Sequence, residues 1–109
     1  MLDMQAFAGE VVSFVAGHTM AEVGRDRMFF RALERSLFLV GEAANRVPRD
    51  VQAQFPEIPW AAIIGLRNVL AHGYESVSPE KLWHTATVSV PELLKHLDAA
   101  IAKQPPFEV

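Results

Sequence analysis

Apolar residues return every three or four positions along most of this chain, the period of an α-helix with one buried face. From Leu2 to Ala16 the apolar positions are Met4, Phe7, Val11 and Phe14, which predicts an amphipathic helix ended by Gly17. Thr19 followed by Glu22 has the form of a capping box for a short turn through Met20 and Val23, which Gly24 breaks. Asp26 to Arg46 predicts the longest helix. One stripe on it is Phe30, Leu33, Leu37, Val40, Ala44 and Val47; a second, smaller-grained one is Phe29, Ala32, Ser36, Leu39 and Ala43. A helix apolar on two sides is central, or it also lines an oligomer contact. Its remaining face carries Arg27, Arg31, Arg35, Glu42 and Asn45, and Pro48 stops it.

Arg49 to Phe55 predicts one short helix, and Pro56 and Pro59 bracket the turn after it. Trp60 to Tyr74, WAAIIGLRNVLAHGY, predicts a helix that starts behind Pro59 and stops at Gly73. Its apolar stripe is Trp60, Ile63, Ile64, Leu70 and Ala71; a second line, Ala61, Gly65, Asn68 and His72, shares one face and is small and polar. Ser78-Pro79-Glu80 is a helix start: a cap, a proline at the first position, an acid in the first turn. That last helix runs to about Lys103 with Leu82, Ala86, Val90, Leu93, Leu97 and Ile101 inward, and Pro91 kinks it without breaking it. The tail from Gln104, with Pro105-Pro106, is expected to fray. No stretch alternates as a strand does. The expectation is one all-α domain over residues 1–109: four main helices in a bundle with short connecting helices.

Composition narrows this little. The chain has 109 residues, half of them hydrophobic and 21% charged, an ordinary globular balance. It has no cysteine, so disulfides and thiolate metal sites are excluded. No apolar run approaches the ~18 residues of a membrane span and the start has no basic leader region, so a cytoplasmic protein is expected. The formal net charge of −3 argues against binding nucleic acid through a broad basic surface, though not against a local basic cleft. Arg supplies seven of the ten basic residues, and Arg27, Arg31 and Arg35 lie on one stripe of one helix. A solvated helix face is the ordinary reading of such a stripe; contact with RNA or a protein partner is the functional one.

Candidate chemistry centres on Arg67 and His72. Arg67 interrupts an apolar stripe, and a guanidinium against apolar surface needs an anionic partner. Glu42 is the candidate, as a structural partner rather than an acid catalyst. His72 sits in the last turn of its helix, where the dipole favours a protonated imidazole. Asn68, one turn back, is placed to orient it. Arg67 and His72 are five positions apart, which is roughly 140° around an ideal helix, so they do not share a face. They meet only if the long stem of Arg67 curls round, if the helix end unwinds, or if two copies of this helix pair across a two-fold axis, and the last is the favoured reading. The bland reading is that Arg67 pairs with a core carboxylate and His72 only helps the cap. His18, His84 and His96 have no metal-ligand spacing, so no metal or other cofactor is expected.

ALERSLFLVGEAANRVP, FPEIPWAAIIGLRNVLAHGY and WHTATVSVPELLKHL together resemble the HEPN superfamily, and within it the HepT-like toxins of toxin–antitoxin pairs. The first segment resembles the family's central helix, the second the stretch with the R-x4-H-x-Y signature, and the third its closing helix with an internal proline. R-x4-H alone is a weak motif; the combination is specific. The resemblance implies a HEPN-type four-helix bundle working as a homodimer, with the signature helices lining a shared cleft. It implies metal-independent RNA cleavage with Arg67 and His72 catalytic and Asn68 supporting. It also implies that Tyr74 is where a nucleotidyltransferase antitoxin of the MntA type attaches AMP. Phosphate there would compete for the Arg67 guanidinium. The alternative is a non-catalytic dimeric HEPN module that binds a nucleotide or a nucleotidyltransferase partner.

Overall fold

A computed structural model describes residues 1–72 and 77–103 of the chain. The expected modification site at Tyr74 and the expected fraying from Gln104 lie outside these residues. Every regular element among them is helical: α1 (Leu2–Val15), α2 (Met20–Arg25), α3 (Arg27–Asn45), α4 (Arg49–Ala53), α5 (Trp60–His72), α6 (Pro79–His84) and α7 (Val90–Ala102), with a π-helical turn at Thr85–Ser89 joining the last two. Since α6, the π turn and α7 form one continuous rod, the architecture is four main helices with short connectors, as the periodicity predicts.

Helix α3 is the hub, packed against α1, α2, α5 and α6, while α1 also lies along α7. Being held between two helices turns the buried stripe of α1 to Met4, Ala8, Val11 and Val15, and leaves Phe7 and Phe14 at its flanks. Gly17 reverses the chain at φ +79°, the left-handed conformation that glycine adopts without strain. The expected stop at Gly24 does not occur: α2 runs through it to Arg25. Asp26 is the stronger signal. Its N–H closes α2 on the Glu22 carbonyl at 2.8 Å, and its carboxylate accepts from the Met28 and Phe29 amides at 3.0 and 3.2 Å. That cap contributes about 1 kcal/mol, comparable to the penalty for a helical glycine. On α3 the buried ring is Phe29, not Phe30, because Phe14 and His18 pack on it with centroids 5.1 and 4.5 Å away.

The segment between α3 and α5 is pinned from inside. The side-chain amide of buried Gln52 donates to the Val47 carbonyl at 2.9 Å, and the Trp60 indole donates to the Phe55 carbonyl at 3.0 Å. Phe55 and Ile58 are buried between them. The entry point of α5 is thereby set. Near the C-terminus, Pro91 acts through the π turn rather than a simple kink. A proline ring collides with the carbonyl four residues earlier and offers no N–H. The widened turn just ahead of it absorbs the mismatch. Thr85 and Thr87 hydroxyls donate to the Lys81 and Trp83 carbonyls at 2.8 and 2.7 Å, occupying acceptors in that stretch. Burial then runs Leu82, Ala86, Val90, Leu93, Leu97 and Ala100, with Ile101 only half-buried.

Helix α5 is the least enclosed of the main helices. It packs chiefly on α3. Trp60 is its buried residue, Ile63, Ile64 and Leu70 are half-buried, and Ala71, expected inside, is exposed. Between α5 and the α6–α7 rod runs an apolar groove of about 570 Å3, with Ile63, Leu66 and Val69 on one wall and Val77, Val90 and Leu93 on the other. Among the described residues no helix is long and apolar enough to cross a membrane.

Candidate active site

The site is assembled where α5 runs back along α3. Arg67 lies against Gly41 and Glu42, whereas Leu70 and Ala71 lie near Arg31, Arg35 and Phe38, so the two helices are antiparallel. Gly41 makes this approach possible. A Cβ at that position would overlap the Arg67 Cβ and stand 3.2 Å from its Cα. Glycine inside a helix costs about 1 kcal/mol relative to alanine, and here it lets two backbones close on each other.

The arginine that enters this gap is partnered on three sides. Its Nε donates to Glu42 Oε1, and one terminal nitrogen donates to Asn68 Oδ1 at 2.9 Å. Its guanidinium carbon stands 5.7 Å from the centroid of the Phe38 ring. The other Glu42 oxygen is 4.0 Å from an Arg46 terminal nitrogen. Arg67 and Glu42 are both about three-quarters buried, at 25% and 23% side-chain exposure, so water screens the pair only in part. A guanidinium has five N–H donors in a fixed plane, and two are used here. Among the described residues the rest of the fork is open to an oxyanion, and Glu42 and Phe38 hold the group in place.

His72 is treated differently. It is the final residue of α5 and exposed, and it shares the exposed face with Ala61, Gly65 and Asn68. Among the described residues no hydrogen bond or ion pair links it to Arg67. Asn68, expected to orient His72, has its carbonyl oxygen turned to Arg67 instead. So one chain brings together Arg67, Glu42 and Asn68, and leaves His72 one turn beyond them on the open side.

The arginine stripe also divides. Arg31 and Arg35 line a groove of about 350 Å3 together with Glu34, Phe38, Leu70 and Ala71, next to the His72 end of α5. Arg31 is paired with Glu34 at 2.8 Å. Arg35 lies over the Phe38 ring at 5.2 Å. Arg27 is exposed and lies outside this lining. No cluster of three or more His, Asp or Glu side chains forms among the described residues.

Two residues of the site escape a reading of the charges alone, Gly41 and Phe38. Both leave a trace in the sequence. A glycine in mid-helix calls for a reason, and Phe38 falls on the line Arg31, Arg35, Phe38, Glu42, an aromatic within a charged face.

A family model described as ribonuclease HepT-like matches residues 4–100. A Methanocaldococcus jannaschii protein named as a putative RNase is 30% identical over 98 residues, 90% of each chain. A Caldanaerobacter subterraneus protein named in the same way is 30% identical over 94 residues, covering 86% of this chain and 84% of that one. A Thermococcus cleftensis protein named as a probable ribonuclease HepT is 37% identical over 62 residues, 57% of this chain and 56% of its own. No solved structure matches the chain.

Proposed function

Because this chain belongs to the HepT-like ribonuclease family of the HEPN superfamily, we propose that it is an RNA endonuclease and the toxin of a toxin–antitoxin pair. The observation that carries the reading is the seat of Arg67: a guanidinium oriented by Glu42 and Phe38, with part of its fork unoccupied among the described residues.

In the reaction an RNA 2′-hydroxyl attacks the adjacent phosphorus and the P–O5′ bond breaks. The products are a 2′,3′-cyclic phosphate and a 5′-hydroxyl end. One imidazole takes the proton from the 2′-hydroxyl and another protonates the departing 5′-oxygen. Arg67 holds the charge that builds on the non-bridging oxygens. No step calls for a metal ion. A homodimer supplies two His72 residues, and it also answers the failure of Arg67 and His72 to meet within one chain. The open flank of α5, with Gly65, Val69 and the apolar groove behind it, is the surface we assign to that pairing. Restraint comes from a nucleotidyltransferase of the MntA type: the Tyr74 oxygen attacks the α-phosphorus of ATP, AMP is transferred and pyrophosphate leaves. The new phosphate then competes for Arg67.

The rival is a non-catalytic dimeric module that binds a nucleotide or a nucleotidyltransferase in the same cleft. The exposed position of His72, without a partner among the described residues, favours it. Incubating unmodified protein with RNA and EDTA, beside Arg67→Ala and His72→Ala, separates the two. The ribonuclease reading expects cleavage that survives chelation, leaves 2′,3′-cyclic ends and drops about 100-fold or more in either variant. Absence of cleavage by protein whose Tyr74 is bare by mass spectrometry would transfer the assignment to the binding module.

A further inference from the structure

The groove beside the proposed catalytic residues has a chemistry of its own. Its floor is Phe38, with Leu70 and Ala71 opposite, and its rim is Arg31 and Arg35. The Phe38 ring carries two guanidiniums, Arg35 at 5.2 Å and Arg67 at 5.7 Å from its centroid. Their separation cannot exceed the sum of those distances, which is the reach of one or two backbone steps of a single strand. The two arginines are otherwise unlike. Arg67 is tied to Glu42 and Asn68. Arg35 is exposed, and no carboxylate among the described residues pairs with it. Arg31 is neutralised by Glu34. Stacking on an aromatic face fixes the plane of a guanidinium without using its N–H donors, which leaves a fork suited to a phosphodiester.

We propose that Arg35, held on Phe38, forms a phosphate subsite for single-stranded RNA that grips the phosphodiester next to the one bound at Arg67. This rests on the ribonuclease reading for the identity of the strand. It assigns the groove to substrate binding rather than to bond cleavage, and it narrows the functional part of the arginine stripe from three residues to one. It also accounts for how a chain with net charge −3 engages RNA, through a local cation pair on one ring rather than a basic face.

The test measures binding by the full-length chain carrying His72→Ala, so that the probe stays intact. A labelled oligouridine long enough to fill both subsites is titrated at several salt concentrations, beside diuridine phosphate, which has a single phosphodiester. Adding Arg35→Ala is expected to weaken the oligouridine several-fold and to lower the salt slope by ~0.7, the increment for one phosphate contact on a single strand. Diuridine phosphate should change less than twofold. Lys95→Ala, an equal charge loss on an exposed site of α7, is the control. The subsite would be overturned by an unchanged slope, by an equal loss on the two probes, or by an equal effect of the control. An unchanged slope would transfer the groove to an acidic protein surface. The ribonuclease reading is judged separately: if the protein with an intact His72 does not cleave RNA while the Arg35 effect on binding persists, the subsite stands and the nuclease assignment falls.

Discussion

The two ends of α5's functional stretch are built on opposite principles. At Arg67 the chain supplies everything: a glycine to admit the side chain, a carboxylate and an amide to orient it, and a ring to support its plane. At His72, one turn on, the described residues supply a helix end and solvent. The difference follows from where the helix is covered. Arg67 faces α3, whereas Asn68 and His72 lie on a side of α5 that is exposed among the described residues. A charge-stabilising group works best when preorganised, because reorienting dipoles during the reaction costs free energy. A proton carrier needs access to both substrate and water, and its final orientation can be left to a partner or to the substrate itself.

The largest test of this contrast is conservative. Arg67→Lys keeps the charge but loses the planar fork and the bond through Nε. Cleavage should fall about 100-fold while the fold persists, seen as lost turnover with near-native circular dichroism. Equal activity would mean that only charge matters there, and the seat would then have no catalytic meaning. Gly41→Ala is next. The added methyl overlaps Arg67 and has no flexible neighbour to displace, since the Arg67 Cα is 3.2 Å away. A loss of about 1–3 kcal/mol is expected, read by urea or thermal unfolding. A smaller loss would show that α5 can slide along α3, and the seat would be less rigid than the contacts describe.

Glu42→Gln separates position from stability. The pair is partly screened, so the stability cost should be about 1 kcal/mol or less. Turnover should fall roughly tenfold, through kcat more than KM, because the guanidinium plane is no longer fixed. If kcat is unchanged, Glu42 serves the fold alone.

The smallest effect lies away from the site. The His18 ring nitrogen, 2.8 Å from Glu22, together with the capping bonds from Thr19, holds the Glu22 carboxyl below the ordinary 4.5. A carboxyl with a lowered folded-state value contributes stability above its unfolded value and loses it as pH falls through the folded one. The parent should therefore be slightly more stable than Glu22→Gln at neutral pH, and unfolding measured as the pH falls below about 4.5 should show that difference closing. The pair is exposed, and salt should erase most of the effect.

Much of this was legible along the chain. Helix number, the Ser78 and Thr19 caps, the reversal at Gly17 and the need of Arg67 for a carboxylate all follow from local chemistry: period, backbone freedom and the cost of an unpaired charge. The Arg67–Glu42 pairing itself could be anticipated, because few carboxylates lie on the central helix. What local chemistry left open is how each helix is turned. Rotation decided that Phe29 rather than Phe30 goes inside, that Ala8 and Val15 replace Phe7 and Phe14 on α1, and that Ala71 faces out. Neighbouring positions on a helix differ by ~100°, and apolar residues border both sides of these stripes, so only the packing partners choose between them. The same holds at the site. The sequence by itself determined that an arginine, an asparagine and a histidine lie on one helix at known angles. The tertiary structure decided that Asn68 turns to Arg67, that Phe38 carries two guanidiniums, and that Gly41 opens the gap, because each depends on how closely α3 and α5 approach.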